Sequence, residues 1–217
     1  MESQVNKMDH KEFVSKIIAL YHEARLPKYQ NNKISRGRSH TISSSVEDLF
    51  ANFLIDNDKT IDKILIDQPM KIKTKTIYPD ITIIYDNEIT AFMDLKMDLG
   101  WMRGGLADLY KKDQLLMDVA RGNSCRYKYG SKKEFYKEIQ VSKKAIYDIV
   151  VISDQNISEA MLKNQIEMIN EFETESVKLH ILTKNLHLNT YGLDHNYVLD
   201  KVEIDESQFN DLFHRIK

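Results

Sequence analysis

The chain has 217 residues, for which one domain is the default and two small ones are possible, and with 42% of them hydrophobic and only 7 Gly and 3 Pro it describes a packed globular core and not a disordered chain. Its 31 Lys and Arg against 33 Asp and Glu leave a formal charge of −2, so the whole molecule does not announce a polyanion partner. The single cysteine, Cys125, excludes an intrachain disulfide framework and a multi-cysteine zinc site and suits a reducing, cytoplasmic setting. No apolar run reaches the roughly 18 residues of a membrane span, and the polar opening MESQVNKMDHKEF has no secretory h-region.

In chain order, HKEFVSKIIALYHEA spaces Phe13, Val14, Ile17, Ile18 and Tyr21 as a helix does. Residues 27–43 are polar and irregular and predict a loop. From Arg25 to Val46 there are five Lys or Arg and no acid. SSSVEDLFANFLI predicts a helix with Val46, Leu49, Phe50, Phe53 and Leu54 in one stripe. KILIDQPMKIKTKTI reads as extended, and 81–85 and 89–95 as strands around Asp86-Asn87. LGWMRGG is a glycine-bearing loop, and LADLYKKDQLLMDVAR a helix. Arg121–Lys144 holds eight Lys or Arg against Glu134 and Glu138, a second local basic patch. AIYDIVVIS is a continuous apolar strand of the kind found deep in a sheet. A helix follows from a Ser158 N-cap, and VKLHILT is a further buried-type strand. The order predicts an α/β fold, a central mixed β-sheet flanked by helices on both faces.

The segment YPDITIIYDNEITAFMDLKMD places charge inside the hairpin. If Asp86-Asn87-Glu88 is its loop, Tyr85 faces Ile89 and Asp80 lies opposite Asp94, with Lys96 on the same face as Asp94. The other face, Ile81, Ile83, Tyr85, Ile89, Ala91, Met93 and Leu95, is apolar and predicts core. Two opposed carboxylates repel unless a cation or proton lies between them. A hard divalent ion would resolve the conflict, and a neighbouring lysine would then hold or deprotonate a water, or stabilise charge at phosphorus. The alternative is an exposed sheet face carrying an Asp–Lys ion pair.

Pro79-Asp80 followed by Asp94-Leu95-Lys96 resembles the signature of the PD-(D/E)XK nuclease superfamily, to which type II restriction endonucleases belong. The resemblance covers approximately residues 44–184. It implies a restriction-endonuclease-like core: a helix, an antiparallel meander of three strands with the motif on the second and third, then helix and strand. It implies that Asp80, Asp94 and the Leu95 carbonyl ligate Mg²⁺, with Mn²⁺ substituting, and that Lys96 activates water. Many members add an acid from the preceding helix, here Glu47. Equally, Ser44 and Glu47 fit a capping box, in which Glu47 only caps its helix. Asp98 is a further nearby carboxylate. Gln114 is followed at the Q-x-x-x-Y spacing by Asp118, which disfavours the RecB-like branch.

The reading is a single nuclease domain over 1–217, with an N-terminal helix and basic loop over 1–43, the core over 44–184, and a C-terminal extension over 185–217. The expected activity is Mg²⁺-dependent endonucleolytic hydrolysis of double-stranded DNA by a homodimer, most like a type II restriction enzyme of a restriction–modification system. The alternatives are a structure-selective or repair nuclease of the same fold and a non-catalytic DNA-binding protein that retains it. Lys33, Arg36, Arg38 and His40 of the basic loop, and Arg103 beyond the motif strand, are expected to contact DNA; Trp101 is a weaker candidate. His22, His180 and His195 lack ligand-like spacing. No Walker A, G-x-G-x-x-G or G-x-S-x-G element points to a nucleotide cofactor or serine chemistry.

Overall fold

The computed structural model describes residues 7–216 except 30, 32, 101–104, 129–135 and 173. Trp101 and Arg103 lie outside the described residues. No described helix is long and apolar enough to cross a membrane.

The first helix, α1 (His10–Ala24), opens on an Asp9 cap that accepts from the Glu12 amide at 2.7 Å. Its buried stripe is the one its spacing predicts, from Phe13 through Tyr21. A polar connection leads to α2 (Ser43–Asn57). Then come β1 (Lys63–Ile66), β2 (Met70–Ile72), β3 (Lys75–Ile77), β4 (Ile81–Tyr85) and β5 (Glu88–Lys96). After α3 (Leu106–Ala120) follow β6 (Ser124–Lys128) and the eighteen-residue β7 (Tyr136–Ser153). The chain continues as α4 (Glu159–Asn170), β8 (Val177–Lys184), α5 (His195–Lys201), β9 (Glu203–Ile204) and α6 (Glu206–Arg215). As expected, Ser158 caps α4, accepting from the Met161 amide.

β1, β4 and β5 are antiparallel neighbours, β5 pairs in parallel with β7 from Gln140 to Val151, β8 pairs in parallel with the C-terminal half of β7, and β9 closes antiparallel on β8. The sheet is therefore mixed. The segment that reads as one extended stretch over 63–77 divides: β2 and β3 leave β1 as a hairpin, and β2 pairs with β6, which pairs with the first half of β7. This ribbon returns over the sheet, since the Thr82 hydroxyl meets the Met70 sulfur at 3.6 Å.

Helices cover both faces. On one, Phe13, Phe50, Phe53, Phe209 and Leu212 pack against Ile81, Ile83, Ala91, Met93 and Ile152. On the other, Leu106, Tyr110 and Met117 join Phe92, Tyr147, Ile149 and the ribbon residues Met70, Cys125 and Tyr127. The residues beyond 184 are part of this packing and not an appendage: Phe209 of α6 sits 6.0 Å from Phe13 and 5.6 Å from Phe53 between ring centroids.

The hairpin corrects the expected loop. Tyr85 pairs with Glu88, not Ile89, and Asp86-Asn87 alone make the turn, at φ 48° and 60°. Positive φ at both central residues is what a two-residue hairpin turn requires, and Asp and Asn tolerate it. Thr90 then stands unpaired between Ile89 and Ala91 as a bulge, so Ile83 pairs with Ala91 and Ile81 with Met93. Beyond the bulge the pairing is the expected one. Ile89, before the bulge, joins the opposite core from Ala91, so it is not on the face predicted for it.

Candidate functional site

Asp80 directly precedes β4, and Asp94 and Lys96 lie near the end of β5, next to the Ile81–Met93 pair. One Asp80 oxygen, Oδ2, accepts the Leu95 backbone N–H at 2.6 Å. The Lys96 ammonium bridges the two acids, 3.4 Å from Asp80 Oδ2 and 3.3 Å from Asp94 Oδ2. The Tyr147 hydroxyl donates to Asp94 Oδ1 at 2.7 Å. These side chains are part-buried: 24% of Asp80, 15% of Asp94 and 30% of Lys96 remain exposed. The site is therefore not an open sheet face with a loose surface pair.

Lys96 is itself a cation between the opposed carboxylates. Burial works against its charge, but Asp94 and Asp80 outweigh burial and raise its pKa, so it is a firm ammonium. Burial raises the Asp80 pKa, with Lys96 and the Leu95 N–H acting the other way. Tyr147, buried beside Asp94, is held protonated and acts as a donor.

Glu47 projects from the second turn of α2. The capping-box account fails: the helix begins at Ser43, Ile42 occupies the cap position, and no side chain caps it. Burial raises the Glu47 pKa, followed by the charges of Asp80 and Asp67, which places its carboxyl within electrostatic reach of the motif. The neighbouring Asp48 is exposed.

Two residues at the site were not picked out from the sequence. Tyr147 is one. Asp113 of α3 is the other, 1% exposed, with one oxygen lacking a hydrogen-bond partner. Burial and then Asp94 push its pKa up to about 7. A signal existed: Asp113 falls on the stripe of Leu106, Tyr110 and Met117, a polar residue where the helical period calls for an apolar one. Asp98, in contrast, is occupied elsewhere. Its Oδ1 accepts from the Gly100 amide, and its Oδ2 accepts from Asn156 and meets His187. Cys125 is buried, and burial pushes its thiol up to about 12, as befits an inert residue.

The basic loop is exposed. Arg36 donates to the Arg38 carbonyl at 3.0 Å, and the His40 amide to the Ala24 carbonyl at 2.8 Å. A hollow of about 480 Å³ lies among Pro27, Tyr29, Ile34, Arg36 and Arg38. Among the described residues, no ion pair engages Lys33, Arg36 or Arg38. His180, buried, lies instead between Asp148 and Asp211 at 3.5 and 3.4 Å.

Among the described residues no group of three or more His, Cys, Asp or Glu converges as a ready metal cage. The donors that do converge, the Asp80 and Asp94 carboxylates beside the Leu95 peptide, are hard oxygens. They suit Mg²⁺, which commonly takes one or two carboxylates and completes its shell with water and substrate phosphate. Comparison with family models, curated proteins and solved structures gives no match.

Proposed function

We propose that this protein is a Mg²⁺-dependent DNA endonuclease with a restriction-endonuclease-like core, acting as a homodimer. The observation that carries the reading is the approach of the Lys96 ammonium to within 3.4 Å of both motif carboxylates at one end of the sheet. Asp80, Asp94 and the Leu95 carbonyl would hold Mg²⁺, and Glu47 would reach it through water. Bound there, the ion would supply positive charge at the scissile phosphate and acidify a water. Lys96 would hold the attacking water at Nζ and offset charge developing at phosphorus. Tyr147 would keep Asp94 oriented through its hydroxyl. The exposed cations of the basic loop would bind DNA phosphates, and a two-fold pair of subunits would address both strands.

One observation favours a second reading. Lys96 neutralises the carboxylates without a metal, which suits a non-catalytic DNA-binding protein whose triad is only structural. Incubating supercoiled plasmid with the protein in Mg²⁺, Mn²⁺ or chelator separates the two. The nuclease reading expects metal-dependent cutting that Lys96→Ala abolishes while duplex binding persists. Binding without cutting in either metal supports the second. Discrete fragments would mark sequence-specific cleavage; cutting confined to forks or flaps would mark a structure-selective enzyme.

A further inference from the structure

The end of β5 is joined to the basic loop by a continuous run of polar contacts. Asp98, two residues past Lys96, meets His187 Nε2 at 3.2 Å. The other ring nitrogen, Nδ1, accepts the Asn189 amide at 2.8 Å, so Nε2 carries the hydrogen toward Asp98. Asn189 Oδ1 accepts twice from Arg25, from Nε at 3.1 Å and Nη2 at 2.8 Å, and Arg25 also donates to the Thr190 carbonyl. The same guanidinium lies 4.5 Å from the centre of the Tyr191 ring. Finally, the Tyr191 hydroxyl hydrogen-bonds Ser39 at 2.8 Å, inside the basic loop. The near end is tightly packed too: a Cβ on Gly100 would lie 2.9 Å from Asp98 Oδ1 and 3.0 Å from Asn156 Cβ.

We propose that the turn carrying His187, Asn189 and Tyr191 is a strut that fixes the basic loop relative to the end of β5, making His187 and Asn189 positioning residues for the DNA substrate. The substrate role rests on the nuclease reading; the strut itself does not. Fork-like Arg25–amide contacts and a stacked ring hold an angle as well as a distance, which a single flexible contact would not. Losing the strut should loosen the loop and weaken binding while leaving the chemistry at Lys96 intact once DNA is bound.

Two measurements test this in the full chain. Spin labels at Ser35→Cys in the loop and Lys111→Cys on α3 report their distance distribution; the buried Cys125 stays unlabelled. Steady-state cleavage of a short duplex gives KM and kcat. Asn189→Ala should broaden the distribution about twofold and raise KM about tenfold, with kcat within about twofold. His187→Ala should act alike, and His187→Gln, which keeps an N–H at similar reach, should restore both readings. An unchanged distribution in folded Asn189→Ala overturns the strut. A broadened distribution with wild-type KM overturns the role in positioning substrate. A wild type that neither binds nor cuts duplex removes the nuclease reading and the substrate role, while the distance distribution still decides the strut.

Discussion

Tyr147 donates its hydroxyl hydrogen to Asp94 from the neighbouring parallel strand, at 2.7 Å. A tyrosine in a core strand thus holds one motif carboxylate from behind while Lys96 faces it from in front. Tyr147→Phe keeps the ring, which stacks 6.1 Å from Phe92, and removes only the donor. It should lower stability by about 1.5–3 kcal/mol, as for a hydrogen bond to a charged acceptor. Urea unfolding measures this, and coincident midpoints would count against the interaction.

Lys96→Ala exposes the repulsion that Lys96 now offsets. Asp80 and Asp94 would face each other part-buried with no cation, and the variant should lose about 1–3 kcal/mol with chelator present. Millimolar Mn²⁺ should offset the loss, supplying about 2.7 kcal/mol at a hundredfold excess over Kd. Thermal melts with chelator and with metal check this. Melts equal to wild type in chelator would mean the triad stores no such conflict.

Asp113 makes stability depend on pH. Its folded pKa, about 7, lies above the unfolded value of about 3.9. Between those values the unfolded chain loses its proton and the folded chain keeps it, so stability falls as pH rises from about 4 to about 7. Asp113→Asn should remove this loss, gaining about 1–3 kcal/mol at pH 8 and little at pH 4. Equal shifts at both pH values would refute the buried-acid account.

Glu47→Ala should not carry the cost of a lost cap, about 0.5–2 kcal/mol, because no side chain caps α2. Under the nuclease reading it should still slow cleavage. A melting temperature at or above wild type with reduced kcat is the expected pair of results; a destabilised variant of normal kcat would reverse the assignment.

Arg36 and Arg38 test the proposed DNA interface. Replacing both with Ala should weaken duplex binding and flatten its salt dependence, by about 0.9 in the log–log slope for each phosphate no longer neutralised. Anisotropy titrations across salt concentrations would show this. A slope identical to wild type would remove these arginines from the interface.

Much of the architecture was legible because burial leaves a periodic trace. The stripe of α1, the apolar run ending β7 and the Ser158 cap all appear in the structure at the expected places. The charged face of the hairpin was legible for the same reason, since alternation sets sides even when the turn is misjudged. The partners of that face were not. Tyr147 bonds Asp94, and Asp113 feels its charge, from elements distant in the chain, and only packing brings them there. The β2–β3 hairpin was hidden because its strands are three residues each, too short for alternation to separate from the extended run around them. The Ser44–Glu47 cap misled because a local pattern satisfies the rule while the preceding loop starts the helix two residues earlier, with Ile42 and not Ser44 at the cap position.

The bulge at Thr90 gives the hairpin a parity. Because Ile89 and Ala91 already face opposite cores, deleting Thr90 would leave them adjacent in an uninterrupted ladder, with every later residue on its present side. Deleting one residue between Ala91 and Met93 would instead turn Asp94 and Lys96 over, unless another irregularity absorbed the change. An odd change in length is thus harmless at one point of the strand and inverts the site a few residues on. Length variation in this hairpin is therefore to be counted from the bulge outward, not from the turn.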